Sequence, residues 1–429
     1  MTDFSAAMAK IHAFRQRFET LLTSARGKTP GAFEYVGNAR NVLKPIPDFG
    51  SNPGNLRMLV YTPENLPAGA PVVVALHGCS QNANEYDHGA GWSSLADRLG
   101  FLVVYPEQQL ANNPKNCFSW FLPGDTARGD GEALSIHQMV EHAIGQFGAD
   151  REKVFVTGLS AGGAMAVVML ATYPETFAGG AIIAGLPYQS AKNVNEAFEA
   201  MFTDRHPSPR TLGDRVRAAS KHHGPWPKIS IWHGNADPIV KPSNAEQIAQ
   251  QWTDVHSLSG TPSYEELIGA HTHKVWNDPD GDRLIEAFSV HGMAHGVPLD
   301  LNRDEESCGA VGPFFLDAGI SSTHHIANFW GLADGSVTSC SPMIYSGSGH
   351  IAALPGATER EKPSTRNTDA SIHMDARQNA SYAVSDVIAD AFKAAGLDFT
   401  GYPSGLPKPR FSPGPIIEAA LKAAGLRRP

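Results

Sequence analysis

Gly158-Leu159-Ser160-Ala161-Gly162 joins two runs of different periodicity. Before it, Lys153-Val154-Phe155-Val156-Thr157 reads as a short apolar strand. After it, residues 161–171 are rich in Ala, Val, Met and Leu and read as a helix. Passing from strand to helix through a single serine requires a sharp turn at which the two backbones nearly touch. The positions two before and two after the serine must therefore be small. Gly158, Gly162 and Gly163 meet that demand. Such a turn holds a hydroxyl clear of the sheet. It also fixes the class as α/β, because a strand feeding straight into a helix must be covered by that helix. An idle serine on a glycine-rich turn is the plain alternative, and the residues that follow weigh against it.

A serine hydroxyl is a weak nucleophile at neutral pH. It needs a histidine base, and the base needs a carboxylate to hold its tautomer. On an open α/β sheet these belong on loops after later strands. Lys228-Ile229-Ser230-Ile231-Trp232 reads as a strand, and His233-Gly234-Asn235-Ala236-Asp237 as the loop after it. Asp237 is the candidate acid, its alternative role being to cap a helix beginning near Ser243. Ala287-Phe288-Ser289-Val290 is a further strand, followed by His291-Gly292-Met293-Ala294-His295-Gly296. His295, on a glycine-flanked turn, is the candidate base. His291, at the strand end, ranks second. Asp254, Asp278 and Asp280 are weaker acids, since none directly follows an apolar strand.

Acyl transfer also needs backbone donors for the oxyanion. One expected donor is the N–H of Ala161, the residue after the serine. Pro71-Val72-Val73-Val74-Ala75-Leu76 is an unbroken apolar run, hence a buried central strand. It ends in His77-Gly78-Cys79-Ser80, and the Cys79 N–H is the expected second donor. An ordinary βα turn eased by Gly78 is the alternative.

Further segments carry a resemblance. They include Leu76-His77-Gly78-Cys79 with Asp87-His88-Gly89-Ala90-Gly91-Trp92, Tyr105-Pro106-Glu107-Gln108, and Asn116-Cys117-Phe118-Ser119-Trp120-Phe121. Arg128-Gly129-Asp130-Gly131-Glu132, residues 177–188, Trp232-His233-Gly234 with Asp237, and Gly292-Met293-Ala294-His295-Gly296 belong to the same set, as do Gly319-Ile320-Ser321-Ser322 and Phe329-Trp330-Gly331-Leu332. On these the chain resembles the poly(3-hydroxybutyrate) depolymerase family of α/β-hydrolase esterases, in the short form without a separate polymer-binding module. The resemblance spans roughly residues 33–332. It implies an α/β-hydrolase fold with a mostly parallel central sheet and helices on both faces. It implies Ser160 as nucleophile, Asp237 as acid and His295 as base, with no cofactor and no metal. The implied substrate is a short-chain hydroxyalkanoate ester, as polymer or oligomer. A feruloyl or acetylxylan esterase on the same sheet is the next reading, and a non-catalytic binding protein of this fold is the reading from another class. Trp120, Trp232 and Trp276 are candidates to line an apolar cleft.

Composition bounds the partners. The formal charge is −9 over 429 residues, and no Lys/Arg cluster tracks phosphates, which argues against nucleic acid. No segment approaches the ~20 apolar residues that span a bilayer. Residues 4–22 read as an amphipathic surface helix rather than a leader, an expectation of a cytoplasmic protein, although many relatives in the resembled family are secreted. The four cysteines, Cys79, Cys117, Cys308 and Cys340, allow disulfides without forming a disulfide scaffold. A Cys79–Cys117 bridge would clamp the oxyanion loop to the next loop; the sequence leaves that pair and Cys308–Cys340 open. His271 and His273, which share a face if on a strand, and His222 and His223 could in principle bind a metal, but solvated histidines are the expectation.

Strands are expected at 56–61, 71–76, 101–105, 180–184, 263–267, 271–276 and 284–290, and helices at 92–99, 132–147, 193–201, 212–219, 245–255 and 324–331. The organisation is an N-terminal helix and linker over 1–32, a catalytic domain over 33–332 with a lid-like insertion near 186–227, and a loose tail over 333–429. The tail carries two short Ala-rich helices, at 386–397 and 415–426, each closing in Lys-Ala-Ala-Gly-Leu.

Overall fold

The structure, a computed structural model, describes residues 42–302 and 307–333. The expected N-terminal helix, both tail helices and Cys340 lie outside the described residues.

β3 (Val72–Leu76), β5 (Val154–Leu159), β6 (Gly179–Ile183), β7 (Lys228–Gly234) and β10 (Arg283–Val290) form the centre of one sheet, with β4 (Leu102–Glu107) beyond β3. Its order is β1-β2-β4-β3-β5-β6-β7-β10-β9-β8. From β4 to β10 every neighbouring pair is parallel. β1 (Lys44–Ile46) and β2 (Arg57–Tyr61) close one side antiparallel, and β9 (His271–Asn277) and β8 (Tyr264–Ile268) close the other.

The apolar runs read as buried strands because side chains alternate between two covered faces. Val72, Val74 and Leu76 enter one core, and Val73 and Ala75 the other. The first core is covered by α4 (Gly131–Phe147), α5 (Ala161–Thr172), the insertion helices α6 (Val194–Phe202) and α7 (Pro209–Arg217), and α8 (Ser243–Val255). The second is covered by α1 (Ala83–Ala90), α2 (Trp92–Leu99) and α9 (Ser322–Phe329). Trp330 stacks on Phe155 at 4.8 Å and on Trp92 at 5.8 Å, which fastens the end of α9 to the sheet. Every residue of α5 is buried, as its all-round apolar sequence requires.

Some elements escaped the sequence. α1 contains Glu85, Asp87, His88 and Gly89 and shows little periodicity. It is set by Asn82, whose side chain accepts from Glu85 N at 3.0 Å. α3 (Pro123–Thr126), β1, β11 (Val297–Leu299) and β12 (Phe315–Asp317) are too short to show a period. Among the described residues no helix is long and apolar enough to cross a membrane.

Candidate active site

Ser160 stands between β5 and α5 with φ 58° and ψ −116°, a conformation that side chains rarely adopt. Its N–H donates to Ile183 O at 2.8 Å, and its carbonyl accepts from Ala164 N at 2.9 Å. The glycines explain the shape. A Cβ on Gly158 would stand 2.4 Å from the Gly162 carbonyl carbon, and one on Gly162 would stand 2.3 Å from Leu76 O. Strand, helix and the end of β3 therefore meet at distances no side chain permits. Ser160 is half-buried while all its α5 neighbours are buried.

Asp237 follows β7 and His295 follows β10, at the strand-end edge of the sheet that also carries Ser160. Leu159, Ile183, Trp232 and Phe288 share one row of register across β5, β6, β7 and β10. The loops beyond that row are stitched together. Asn235 N donates to Val290 O at 3.0 Å, Ala236 N to Met293 O at 3.1 Å, and Gly292 N to Asn235 Oδ1 at 2.8 Å. A Cβ on Gly234 would lie 2.1 Å from Met293 O, so this approach needs glycine. The stitching delivers His295 Nδ1 to 2.7 Å from Asp237 Oδ2.

The Asp237 carboxylate accepts from Ile239 N at 2.8 Å and Val240 N at 2.9 Å on Oδ1. It does not cap α8, whose N-cap is Pro242. Burial pushes its acidity toward the neutral form, but the charge of His295 and the hydrogen bonds from His233 and His295 outweigh burial. They hold the carboxyl well below the usual range. His291, the second-ranked base, is exposed, and its backbone N–H pairs with His271 Nδ1. With Nδ1 on the acid, His295 keeps Nε2 for a proton from a nucleophile. Among the described residues no hydrogen bond reaches the Ser160 hydroxyl. The Asp237–His295 contact is made, and the step from His295 to Ser160 is left to tighten on reaction.

The loop after β3 is built as a rigid unit. His77 is buried, with Nδ1 2.8 Å from Gly78 O and Nε2 accepting from Gln108 N at 3.1 Å. Nδ1–H thus pins the Gly78 carbonyl. In a trans peptide the Cys79 N–H points the opposite way. Gly78 N donates to Gln81 Oε1 at 2.8 Å, and a Cys79–Cys117 disulfide ties the loop to the next one. Neither Cys79 N–H nor Ala161 N–H finds an acceptor among the described residues. Behind this loop, Glu132 accepts from Gln108 Nε2 at 2.6 Å and from Ser119 N at 2.8 Å. Burial, with the neighbouring Asp125, pushes its carboxyl up to about 8.

The sequence profile described as "Esterase PHB depolymerase" matches residues 58–262. Over 291 residues the chain is 45% identical to poly(3-hydroxyalkanoate) depolymerase C of Paucimonas lemoignei, covering 68% of this chain and 70% of that protein. The chain belongs to the PHB depolymerase esterase family. Feruloyl esterase B of Talaromyces stipitatus is 33% identical over 273 residues, covering 61% of this chain and 74% of that one. The solved acetyl xylan esterase from Aspergillus awamori superposes with a TM-score of 0.58 at 25% identity, covering 68% of this chain and 99% of that one. This family member is an α/β-hydrolase and a serine carboxylic ester hydrolase.

Several expectations about individual residues are corrected within this family frame. Trp232 is fully buried, stacks on Phe288 at 3.7 Å and donates Nε1–H to Ser230 Oγ at 2.8 Å. It is a core residue that faces α9, not a cleft wall. Trp276 is likewise buried, in the core on the other face of the sheet. Trp120 is nearly buried and packs edge-on against Phe121 at 5.3 Å, directly after the disulfide loop. Asp254 is held by Arg217 at 2.6 Å, and Asp278 accepts from Asp280 N and Asp282 N within its own turn. His271 and His273 are buried rather than solvated. His271 Nε2 lies 3.1 Å from Ala318 O, and His273 lies between Glu266 and Glu286 at 3.0 and 3.2 Å. The residues that sequence reasoning missed are the supporting ones: His77, Gln108 and Glu132 behind the loop, and His233 beside the acid.

Proposed function

We propose that Ser160, Asp237 and His295 are the nucleophile, acid and base of this esterase, with Cys79 and Ala161 N–H as the oxyanion donors. The observation that carries the reading is the His295–Asp237 hydrogen bond of 2.7 Å, at the same sheet edge as a serine held at φ 58°. His295 Nε2 takes the Ser160 proton as Oγ attacks the ester carbonyl. The carbonyl oxygen becomes an oxyanion facing the two N–H groups, which are then no longer without acceptors. Collapse expels the alcohol, protonated by His295, and leaves an acyl group on Ser160. Water, deprotonated by His295, attacks the acyl group and releases the acid. Asp237 holds Nδ1–H throughout and stabilises the imidazolium. A non-catalytic binding protein would have no use for the backbone strain at Ser160.

The proposed substrate class is short-chain 3-hydroxyalkanoate ester, as polymer or oligomer, with Trp120, which follows the Cys79–Cys117 bridge, as the candidate contact. It is supported by the 45% identity to the Paucimonas depolymerase. Feruloyl or acetylxylan esters are the second reading, supported by the relatives bearing those names. A panel of 3-hydroxybutyrate oligomers, feruloyl esters, acetylated xylan and p-nitrophenyl esters tests both, with Ser160→Ala as the blank. Highest kcat/KM on the hydroxybutyrate oligomers is expected. Preference for a feruloyl or acetyl ester overturns the substrate assignment, and hydrolysis by Ser160→Ala overturns the nucleophile.

A further inference from the structure

His233 stands at the end of β7, just ahead of the acid loop, and the steps above make no use of it. Its Nε2 lies 2.9 Å from Val240 O and 3.1 Å from Asp237 Oδ2. Both are acceptors, so Nε2 carries a hydrogen. Its Nδ1 is buried without a hydrogen-bond partner. A hydrogen there would be a buried, unsatisfied donor, so the tautomer is the one with its hydrogen on Nε2 and Nδ1 bare. At 3% exposure, solvent cannot reset this tautomer. His233 Nε2–H donates to Val240 O, and the same edge of the ring faces Asp237 Oδ2 at 3.1 Å, so two imidazoles stand against one carboxylate oxygen: His295 from the loop after β10, hydrogen-bonded to it, and His233 from β7. These are the titratable groups that face the carboxylate. The remaining donors, Ile239 and Val240 N–H, come from its own loop.

We propose that His233 is a positioning residue that draws off part of the Asp237 charge and so sets how tightly the acid holds a proton on His295. The inference rests on the reading of Ser160, Asp237 and His295 given above. His233 does not touch the ester. An N–H dipole facing the carboxylate offsets part of its charge. Without it, the carboxylate attracts the imidazolium at 295 more strongly, and the base loses its proton at higher pH. Serine attack needs the neutral imidazole, so the acid limb of the kcat/KM profile moves upward. A role in packing alone would lower stability or activity and leave the limb in place.

The test is the pH profile of kcat/KM for the full chain on p-nitrophenyl butyrate, with wild type, His233→Leu and His233→Gln compared. The leucine variant removes the donor, and the glutamine variant keeps an amide N–H near the position of Nε2. The expected result is an acid limb raised by roughly 0.5–1 pH unit in His233→Leu and returned to the wild-type position in His233→Gln. A limb at the wild-type position in His233→Leu, or an equal rise in both variants, overturns the proposal. If the leucine variant does not fold, His233→Asn, whose shorter amide falls short of Asp237, is read in its place by the same criterion. Failure of the underlying reading looks different: Ser160→Ala would then keep hydrolysing the ester.

Discussion

A carboxylate removed from water is costly unless donors surround it, and Asp237 is surrounded. Its lowered pKa fixes a pH dependence. The folded state binds the proton more weakly than the unfolded chain, so Asp237 contributes stability above the ordinary carboxylate pKa of about 3.9. That contribution fades as pH falls through the depressed value. Asp237→Asn should therefore be less stable than wild type at pH 7 by urea denaturation, with the gap closing as the pH is taken below about 3. Its kcat should fall by about 10⁴ at neutral pH, because the amide favours the wrong imidazole tautomer. A variant within tenfold of wild type would contradict the role given to Asp237. The pairing of Asp237 with His295 and the strained turn at Ser160 were legible because chain order and strand-end placement restrict where such groups can stand. Trp232 was misread because alternation along β7 sends neighbours Ile231 and Trp232 to opposite faces, both of them covered, and a tryptophan under a helix has the same sequence signature as one lining a cleft. His233 was passed over because a histidine at a strand end looks the same whether its ring meets solvent or a carboxylate.

Elements here are placed by close approach. α5 lies so near β5 and β3 that Gly158 and Gly162 act as spacers, and their positions in the pentapeptide gave the strand–turn–helix junction from sequence. Gly162→Ala sets a Cβ 2.3 Å from Leu76 O, a backbone atom that cannot swing aside. The variant should lose about 1–3 kcal/mol of stability in urea and lose activity with it, since α5 carries Ala161. Full stability in Gly162→Ala would show that the junction is looser than described. The sequence did not disclose the stitching of residues 235–236 to 290 and 293, because backbone hydrogen bonds leave no side-chain signature, nor the Asn235 side chain's bond to Gly292 N, because an asparagine in a loop has many possible donors. The short β11 and β12 are hidden for the same reason. Val297 N donates to Phe314 O at 2.8 Å and sets the residues after His295, yet nothing in three-residue segments announces a pair. The Cys79–Cys117 bridge belongs to this scale too, joining two loops whose proximity the chain order left open.

At the scale of the molecule, the parallel run from β4 to β10 puts successive strand ends along one edge, and the proposed site is assembled from the loops there. Alternating apolar strands and helices made the α/β class legible, and the all-round apolar β3 and α5 marked its centre. Substrate was less legible, because a nucleophile, a base and two N–H donors define acyl transfer without naming the acyl group. The claim on which the account depends is that Ser160 is the reactive hydroxyl of this assembly. Titration of the full chain with an organophosphonate, read by intact mass and peptide mapping, tests it most directly. The account predicts one phosphonyl group per chain, on the peptide carrying Ser160, with esterase activity lost in proportion to labelling. An active protein that takes no label, or takes it elsewhere while Ser160 stays unmodified, would contradict it.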